Sequence, residues 1–514
     1  MTQGPMVNSL GTANPPGTVL LHDLVQEETV LQPQPSGDPN DPLAWSNNRK
    51  AVNFALVLYF SLMTFVLVDI GPIAWGPVNQ ELGISFGDLN NSFAANLAGL
   101  GTGCILTIPL TYRFGRRPVY LFCLLLQLAG SIWQAKTQTA GDIIGSNVIC
   151  GLAGAASESI VQLTIYDLFF VHQRGLMNAI YLFIVSIGAF LSLVPAGYIV
   201  ESQGWRWSWW WTTILIGAGC VLFFFFFEES KFVPCSVGVT PPATEPAPRS
   251  EIHDDKNKAD VEGPTTRIAS RSFTEGIPKK SLAQRFALVT PSDIPVLPLV
   301  LLPFRLFFLL PAVVFVSLMY GALISWYSII ATTQSTYLLY PPYEFGASSI
   351  GLFNIAAFVG AMIGSFLGAL SDRFILYKAR RNGGVYEPED RLWLALPSIV
   401  ILPGGILLYG LVCIGSFQRS VPLFSALDSV IGFAFVAVAF IRNSLAMIFV
   451  FALTPWLEQM GLRSVMIITA CLSFAIAALS IPMIIWGKAA RVKTAEHYRK
   501  IAGGVPGHRL TESR

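Results

Sequence analysis

The sequence predicts an all-α membrane protein in which two bundles of six helices, joined by a polar linker, surround a central cavity. Three observations carry that expectation. Eleven or twelve long apolar stretches fall into two groups, 51–227 and 304–487, and about 20 apolar residues match the hydrocarbon thickness of a bilayer. Hydrophobic residues make up 53% of the 514 and charged residues only 12%, with a mean hydropathy of +0.57, far from the balance of a soluble domain. A polar insert, 228–303, separates the two groups.

Residues 1–50 carry clustered Pro, Gly, Gln and Asn and no apolar run suited to a signal peptide. The tail is therefore expected to be largely disordered and cytosolic, with the first span acting as the targeting signal. Spans are expected at 51–76, 92–112, 118–135, 142–166, 176–200 and 207–227, then at 304–333, 349–371, 392–414, 421–440, 441–457 and 464–487. Within 228–303, Pro241, Pro242, Pro246, Pro248 and the charged run Glu251 to Asp260 predict a mostly disordered linker. Ser, Thr and Arg around Arg267 to Thr274 read first as solvated linker and second as phosphate acceptors. Residues 488–514 form a second tail.

The net charge of +2 matters for its distribution. With the N-terminus in the cytosol, all but four of the 33 Lys and Arg, namely Lys136, Arg206, Arg419 and Arg463, fall in inside segments, Arg442 among them. Basic residues are retained on the cytoplasmic side, so both termini and the linker are expected there. Six of the seven cysteines (Cys104, Cys123, Cys150, Cys220, Cys413 and Cys471) lie in expected spans and Cys235 in the linker. They show neither metal spacing nor a disulfide framework. The five histidines are all in loops or tails. With no Gly-rich phosphate loop and no basic stripe, the sequence points away from an enzyme, an ATP-driven pump and a nucleic-acid binder, and implies no cofactor or metal. Asn90-Asn91-Ser92 is a sequon in the first outside loop, making Asn90 a candidate sugar acceptor close to the membrane.

A short basic turn, Pro109-Leu110-Thr111-Tyr112-Arg113-Phe114-Gly115-Arg116-Arg117-Pro118, follows the second span, and Gly368-Ala369-Leu370-Ser371-Asp372-Arg373 occupies the matching place in the second half. Two related turns at equivalent positions are an internal repeat. Together they resemble the signature loops of the major facilitator superfamily. Asp38 to Ser46, Asp167 to Gly175, Gly204-Trp205-Arg206-Trp207, Pro388 to Leu392, Arg442-Asn443 and Thr454-Pro455-Trp456 are similar to the fungal twelve-span drug:proton antiporter branch, over about 38–490.

The chain departs from that pattern in four places. Ile108 and Tyr112 stand where the first signature carries Gly and Asp; Asn147 stands where the fourth span of relatives holds Arg; and Leu193 replaces the Pro of the fifth-span motif, although Gly188, Ser192, Pro195 and Gly197 remain. Residues 421–457 must supply two spans in about 37 residues, so span ten is expected to be a short helix turning sharply at Arg442-Asn443, or to be partly missing.

Charges inside a bilayer are costly and mark candidate sites. Glu158 lies well inside span four, with Gln162 one turn on. Glu158 could bind a cationic group, or carry a proton, since burial disfavours a charged carboxylate; the plain alternative is a protonated carboxyl bonded to a neighbouring helix. Asp69, before Gly71-Pro72, stands at the cavity mouth or caps a broken helix, and the depth of Asp428 depends on the short span ten. Trp75, Tyr320, Trp326, Tyr327 and Asn354 could shape an amphipathic pocket, although aromatics also gather at membrane interfaces without a ligand, as expected of Trp205 to Trp211. Arg113, Gly115, Arg116, Arg117, Asp167 and Arg174, with Gly368, Asp372 and Arg373, form a candidate cytosolic gate whose ion pairs break when the halves rock.

The resemblance implies a plasma-membrane secondary transporter, monomeric, with protons as coupling ion and a small organic substrate such as a secondary metabolite or drug-like compound exported. An importer of an organic cation such as a polyamine is the alternative. A transport-inactive relic or membrane sensor is the third reading, motivated by the short span ten.

Overall fold

The computed structural model describes residues 19–20, 38, 40–232, 281–290, 296–339, 344–381, 385–386, 389, 392–393, 396–412 and 431–504, and every structural statement concerns these. The first group begins with α1, Asn47–Asp69, and α2, Gly71–Leu82, which run on across Ile70 as one span of 36 residues, Pro72 opening the second piece as the sequence suggests. α3, Phe86–Phe114, starts where the Ser85 hydroxyl accepts the Asp88 N–H at 3.1 Å. α4 is Arg116–Ala135 and α5 Ala140–Leu168, the latter opened by a capping box between Thr139 and Asp142. α6, Val171–Ser186, passes through a π-helical turn, Ile187–Leu191, into α7, Leu193–Gln203, and α8 is Trp205–Phe226. The π turn falls within the fifth-span motif whose proline is replaced by Leu193.

Within the linker α9 is Leu282–Arg285, and α10, Val296–Leu309, leads into the second group, in which α11 is Pro311–Tyr337, α12 Ala347–Arg381, α13 Ser398–Val412, α14 Ile431–Ala478 and α15 Ser480–Gly504. Two two-residue strands, β1 (Val19–Leu20) and β2 (Val385–Tyr386), pair antiparallel, tying part of the N-terminal tail to the second group. Nine helices among the described residues are long and apolar enough to cross a membrane, and Val296–Leu309 and Ser398–Leu407 are shorter apolar helices.

Packing follows side-chain size. α3 and α5 cross so closely that a Cβ on Gly151 would lie 2.2 Å from the Asn96 carbonyl oxygen, the small-residue contact that lets membrane helices approach. Phe60, Tyr120, Phe223 and Phe227 fill the gap between α1, α4 and α8, with Phe60 and Tyr120 edge to face at 5.2 Å. The two groups meet where α14 packs against α3 and where α12 packs against α7.

The structure corrects three expectations. Span seven begins at Pro311 rather than 304, because Leu310 is extended (φ −109°, ψ 105°), as the residue before a proline prefers. Residues 296–309 are a separate helix whose Leu299, Leu302 and Leu306 pack on Cys104, Ile108 and Tyr112. The sharp turn expected at Arg442-Asn443 does not form: the helix continues through them and breaks at Gly461, φ 72°. Of span ten, 421–430 lie outside the described residues, Asp428 among them.

Candidate functional site

A polar cluster within the membrane-spanning region joins the two groups of helices. Glu158, on α5, forms an ion pair through Oε1 with the Arg442 guanidinium on α14. Its Oε2 accepts a hydrogen bond from the Asn443 side-chain amide at 2.8 Å. Both charged side chains are almost sealed, 8% exposed for Glu158 and 7% for Arg442. Arg442 lies 4.5 Å from the centre of the Tyr320 ring, a cation–π contact from α11, and the Cys104 sulfur stands 3.9 Å from Glu158 Oε2. Gln162, one turn on, is buried too. Neither charge survives at this depth without the other: desolvation costs several kcal/mol per ion and is offset only by a good partner. Glu158, expected as a site for a cationic group or a proton, is paired here with a guanidinium of its own chain. Arg442, placed on the cytoplasmic side by charge counting, is the buried partner.

A second pair crosses the groups at the end of α1. The Tyr327 hydroxyl donates to Asp69 Oδ1 at 3.2 Å, and Phe190 stands edge to face with Tyr327 at 5.4 Å. Tyr327 and Asp69 are therefore together. Trp326, the next residue, packs instead on Phe449 at 5.1 Å, and its indole N–H has no hydrogen-bond partner among the described residues. Asn354 is buried but spends its side-chain N–H on the Ile350 carbonyl of its own helix, at 2.9 Å. Trp75 belongs to neither cluster; it lines a cavity of about 40 Å³ inside the first group with Trp205, Trp209, Gln134 and Asn147. Asn147, in place of the arginine of relatives, accepts from Asn96 at 3.2 Å and Gln134 at 3.1 Å, a neutral amide cluster.

At the end carrying the basic turn, Arg116 pairs with Asp167 at 3.0 Å, its side chain fully buried. Both residues belong to the first group, so this pair braces that group and does not bridge the halves. Arg174 donates to the Phe169 and Tyr166 carbonyls at 3.1 and 3.3 Å, capping the C-terminus of α5. Arg113 stacks on Phe114. Gly115 has φ 111°, and a Cβ there would lie 2.4 Å from Glu229 Oε2, so both conformation and space demand glycine. The side chains of Gly368, Asp372 and Arg373, on α12, fall outside the described residues.

The beginning and end of the linker, expected to be loose, are built into this turn. Glu229 accepts the Arg116 and Arg117 backbone N–H groups at 2.9 and 3.1 Å, a carboxylate on the N-terminus of α4. Lys231 donates to the Arg113 and Thr290 carbonyls at 3.2 and 2.8 Å, and Arg117 to the carbonyls of Phe286 and Phe224. Burial, with a smaller push from the Arg116 charge, lowers the Lys231 ammonium to about 8. Glu229 thus puts a carboxylate beside the turn whose usual aspartate is Tyr112.

Asn90 is not in a loop. It lies within α3, buried, donating its amide to the Val450 carbonyl at 2.6 Å and to Thr454 at 3.2 Å, which leaves no room for a sugar. Sequence reasoning missed three participants. Arg442 was legible as an intramembrane charge once the turn beside it is discarded, Asn443 follows from Arg442, and Glu229 gave the signal of a carboxylate pair directly after span six.

The family model described as Major Facilitator Superfamily matches residues 52–441. An uncharacterised MFS-type transporter of Schizosaccharomyces pombe is 32% identical, with 94% of each chain aligned. Protein HOL1 of Saccharomyces cerevisiae is 27% identical over 91% of each chain, and the efflux pump radE of Floropilus chiversii 23% over 78% of this chain and 70% of its own. A match over most of the length, a near full-length relative above 30% identity and a helical architecture of membrane-spanning segments agree: the chain belongs to the major facilitator superfamily, a family of transporters rather than enzymes.

Proposed function

We propose that the chain is a secondary active transporter that exports a small amphipathic organic molecule, such as a secondary metabolite, in exchange for protons. It works as a monomer in the plasma membrane with both termini and the linker in the cytosol. The observation that carries this reading is the Glu158–Arg442–Asn443 cluster, an ion pair sealed between the two groups of helices. A proton reaching Glu158 removes its charge and releases Arg442, so proton binding and the seam between the halves are coupled in one element. The name of one relative, an efflux pump, supports export.

Uptake of an organic cation, such as a polyamine, is the second reading. Of the two buried carboxylates, Glu158 is paired with Arg442, whereas Asp69 is held by the Tyr327 hydroxyl, and Phe190 stands edge to face with Tyr327. A carboxylate with aromatic walls suits a cation.

Accumulation assays separate the readings. In cells expressing the chain, a fluorescent amphipathic dye and a radiolabelled polyamine are followed with and without an uncoupler. Export lowers cell-associated dye in an uncoupler-sensitive way, and uptake raises the polyamine. If neither probe moves across a wider compound panel, the transport reading fails and an inert membrane protein or sensor takes its place.

A further inference from the structure

The end opposite the basic turn is closed by a contact that joins span five to span eight. There α7 and the first turns of α12 approach closely. A Cβ on Gly197 would lie 2.5 Å from the Ala347 carbonyl oxygen, and one on Gly351 2.5 Å from that of Leu193. Such approach demands a glycine at each of these two positions, and it brings the backbone of one group against that of the other.

At the edge of this seam Glu201, in the last turn of α7, reaches across. Its Oε1 accepts the Ser348 backbone N–H at 2.8 Å, at the second residue of α12. A Cβ on Gly346 would lie 2.5 Å from that same oxygen. The first N–H groups of a helix have no partner within it and carry its positive end, so the carboxylate of one group satisfies the backbone of the other. Unlike Glu158, Glu201 is exposed, and the contact can open to water without stranding a buried charge.

We infer that Glu201 is the latch of this end: a positioning residue that caps span eight when the end is closed and lets go when it opens. The inference rests on the reading that the two groups rock against one another during transport. Glu201 touches no proposed substrate site; it acts through the position of α12.

Spin labels on Ser202→Cys and Leu352→Cys, both exposed positions flanking the seam, report its width in the full-length protein in nanodiscs. The Glu201→Ala change is expected to raise the ratio of long to short distances about fivefold, the size of a helix cap discounted for exposure. The Glu201→Gln change keeps an acceptor oxygen and is expected to fall between. An unchanged distribution in Glu201→Ala overturns the latch, and so does an equal shift from Glu344→Ala, an exposed carboxylate just before α12. Glu158→Gln with the same labels tests the rocking itself. A distance that no variant moves sinks alternating access, whereas one moved by Glu158→Gln and not by Glu201→Ala sinks the latch alone.

Discussion

Glu158 and Asp69 are both carboxylates buried in the seam between the two groups of helices, yet they are held in opposite ways. Glu158 has a guanidinium on one oxygen and an amide on the other. Asp69 has the Tyr327 hydroxyl. A carboxylate matched by a cation is locked into one arrangement, because removing either charge strands the other. A carboxylate matched by a neutral hydroxyl can gain or lose a proton, or meet a cationic ligand, with less rearrangement. In this protein the first kind suits a switch between states and the second an exchangeable site, and the difference can be measured.

The largest effect is expected from Arg442→Ala, which leaves Glu158 buried without its cation. Removing one member of a buried pair costs about 3–5 kcal/mol, so the variant should lose most of its thermal stability in detergent and all transport. The double change Glu158→Gln with Arg442→Gln removes both charges and should be much less destabilised than the sum of the singles. If the two single changes simply add, the pair is not coupled and Glu158 is no better held than Asp69.

Changes at Asp69 should be milder for stability. Asp69→Asn keeps an oxygen for the Tyr327 hydroxyl and should cost about 1 kcal/mol or less. Its signature belongs to transport: the part of the pH profile that depends on a proton at this carboxylate should be lost, while the part carried by Glu158 remains. Tyr327→Phe removes the donor and should cost about 1 kcal/mol while keeping pH dependence. A stability loss in Asp69→Asn as large as that in Arg442→Ala would erase the contrast between the two sites.

Six spans of the first group were legible because each is a long apolar run ended by a polar or glycine turn, and their expected positions differ from the helices by a few residues. The identity of Glu158 and Asp69 as buried charges was legible for the same reason: an ionisable group inside an apolar run cannot be ignored. Their partners were not. Arg442 and Tyr327 lie in the other half of the chain, and contact between residues so far apart in sequence depends on how the bundles dock, which no local pattern encodes. Assigning Arg442 to the cytoplasm followed a rule for loops that does not apply to a residue neutralised within the membrane. The same limit hid the roles of Glu229 and Lys231, which look solvated until the turn they cap is folded beside them.

A third carboxylate sharpens the comparison from outside the membrane. Glu229 is matched by two backbone N–H groups at the start of α4 rather than by a side-chain cation alone. Glu229→Gln keeps one acceptor and loses the charge that favours a helix N-terminus, so a loss of about 1 kcal/mol is expected, between the extremes set by Arg442→Ala and Asp69→Asn. Thermal unfolding of the purified variant reads it directly, and an effect of 3 kcal/mol or more would place Glu229 with the fully matched pairs.

The smallest effect concerns Lys231 and is best seen through pH. Burial, more than the neighbouring Arg116 charge, lowers its ammonium from 10.5 to about 8. The folded protein therefore holds this proton less tightly than the unfolded chain. Below pH 8 both states are charged and the full burial cost is present; between about 8 and 10.5 the folded amine is neutral while the unfolded one is still charged, and stability rises with pH. The neutral amine still donates to the Arg113 and Thr290 carbonyls, so the contact survives loss of the charge. Lys231→Met should abolish this rise, a difference of about 1 kcal/mol after screening by solvent. Melting curves of both proteins at pH 7.5 and 9.5 measure it, and parallel pH dependence in the two would show that Lys231 is solvated and that the linker's first residues are not packed on the basic turn.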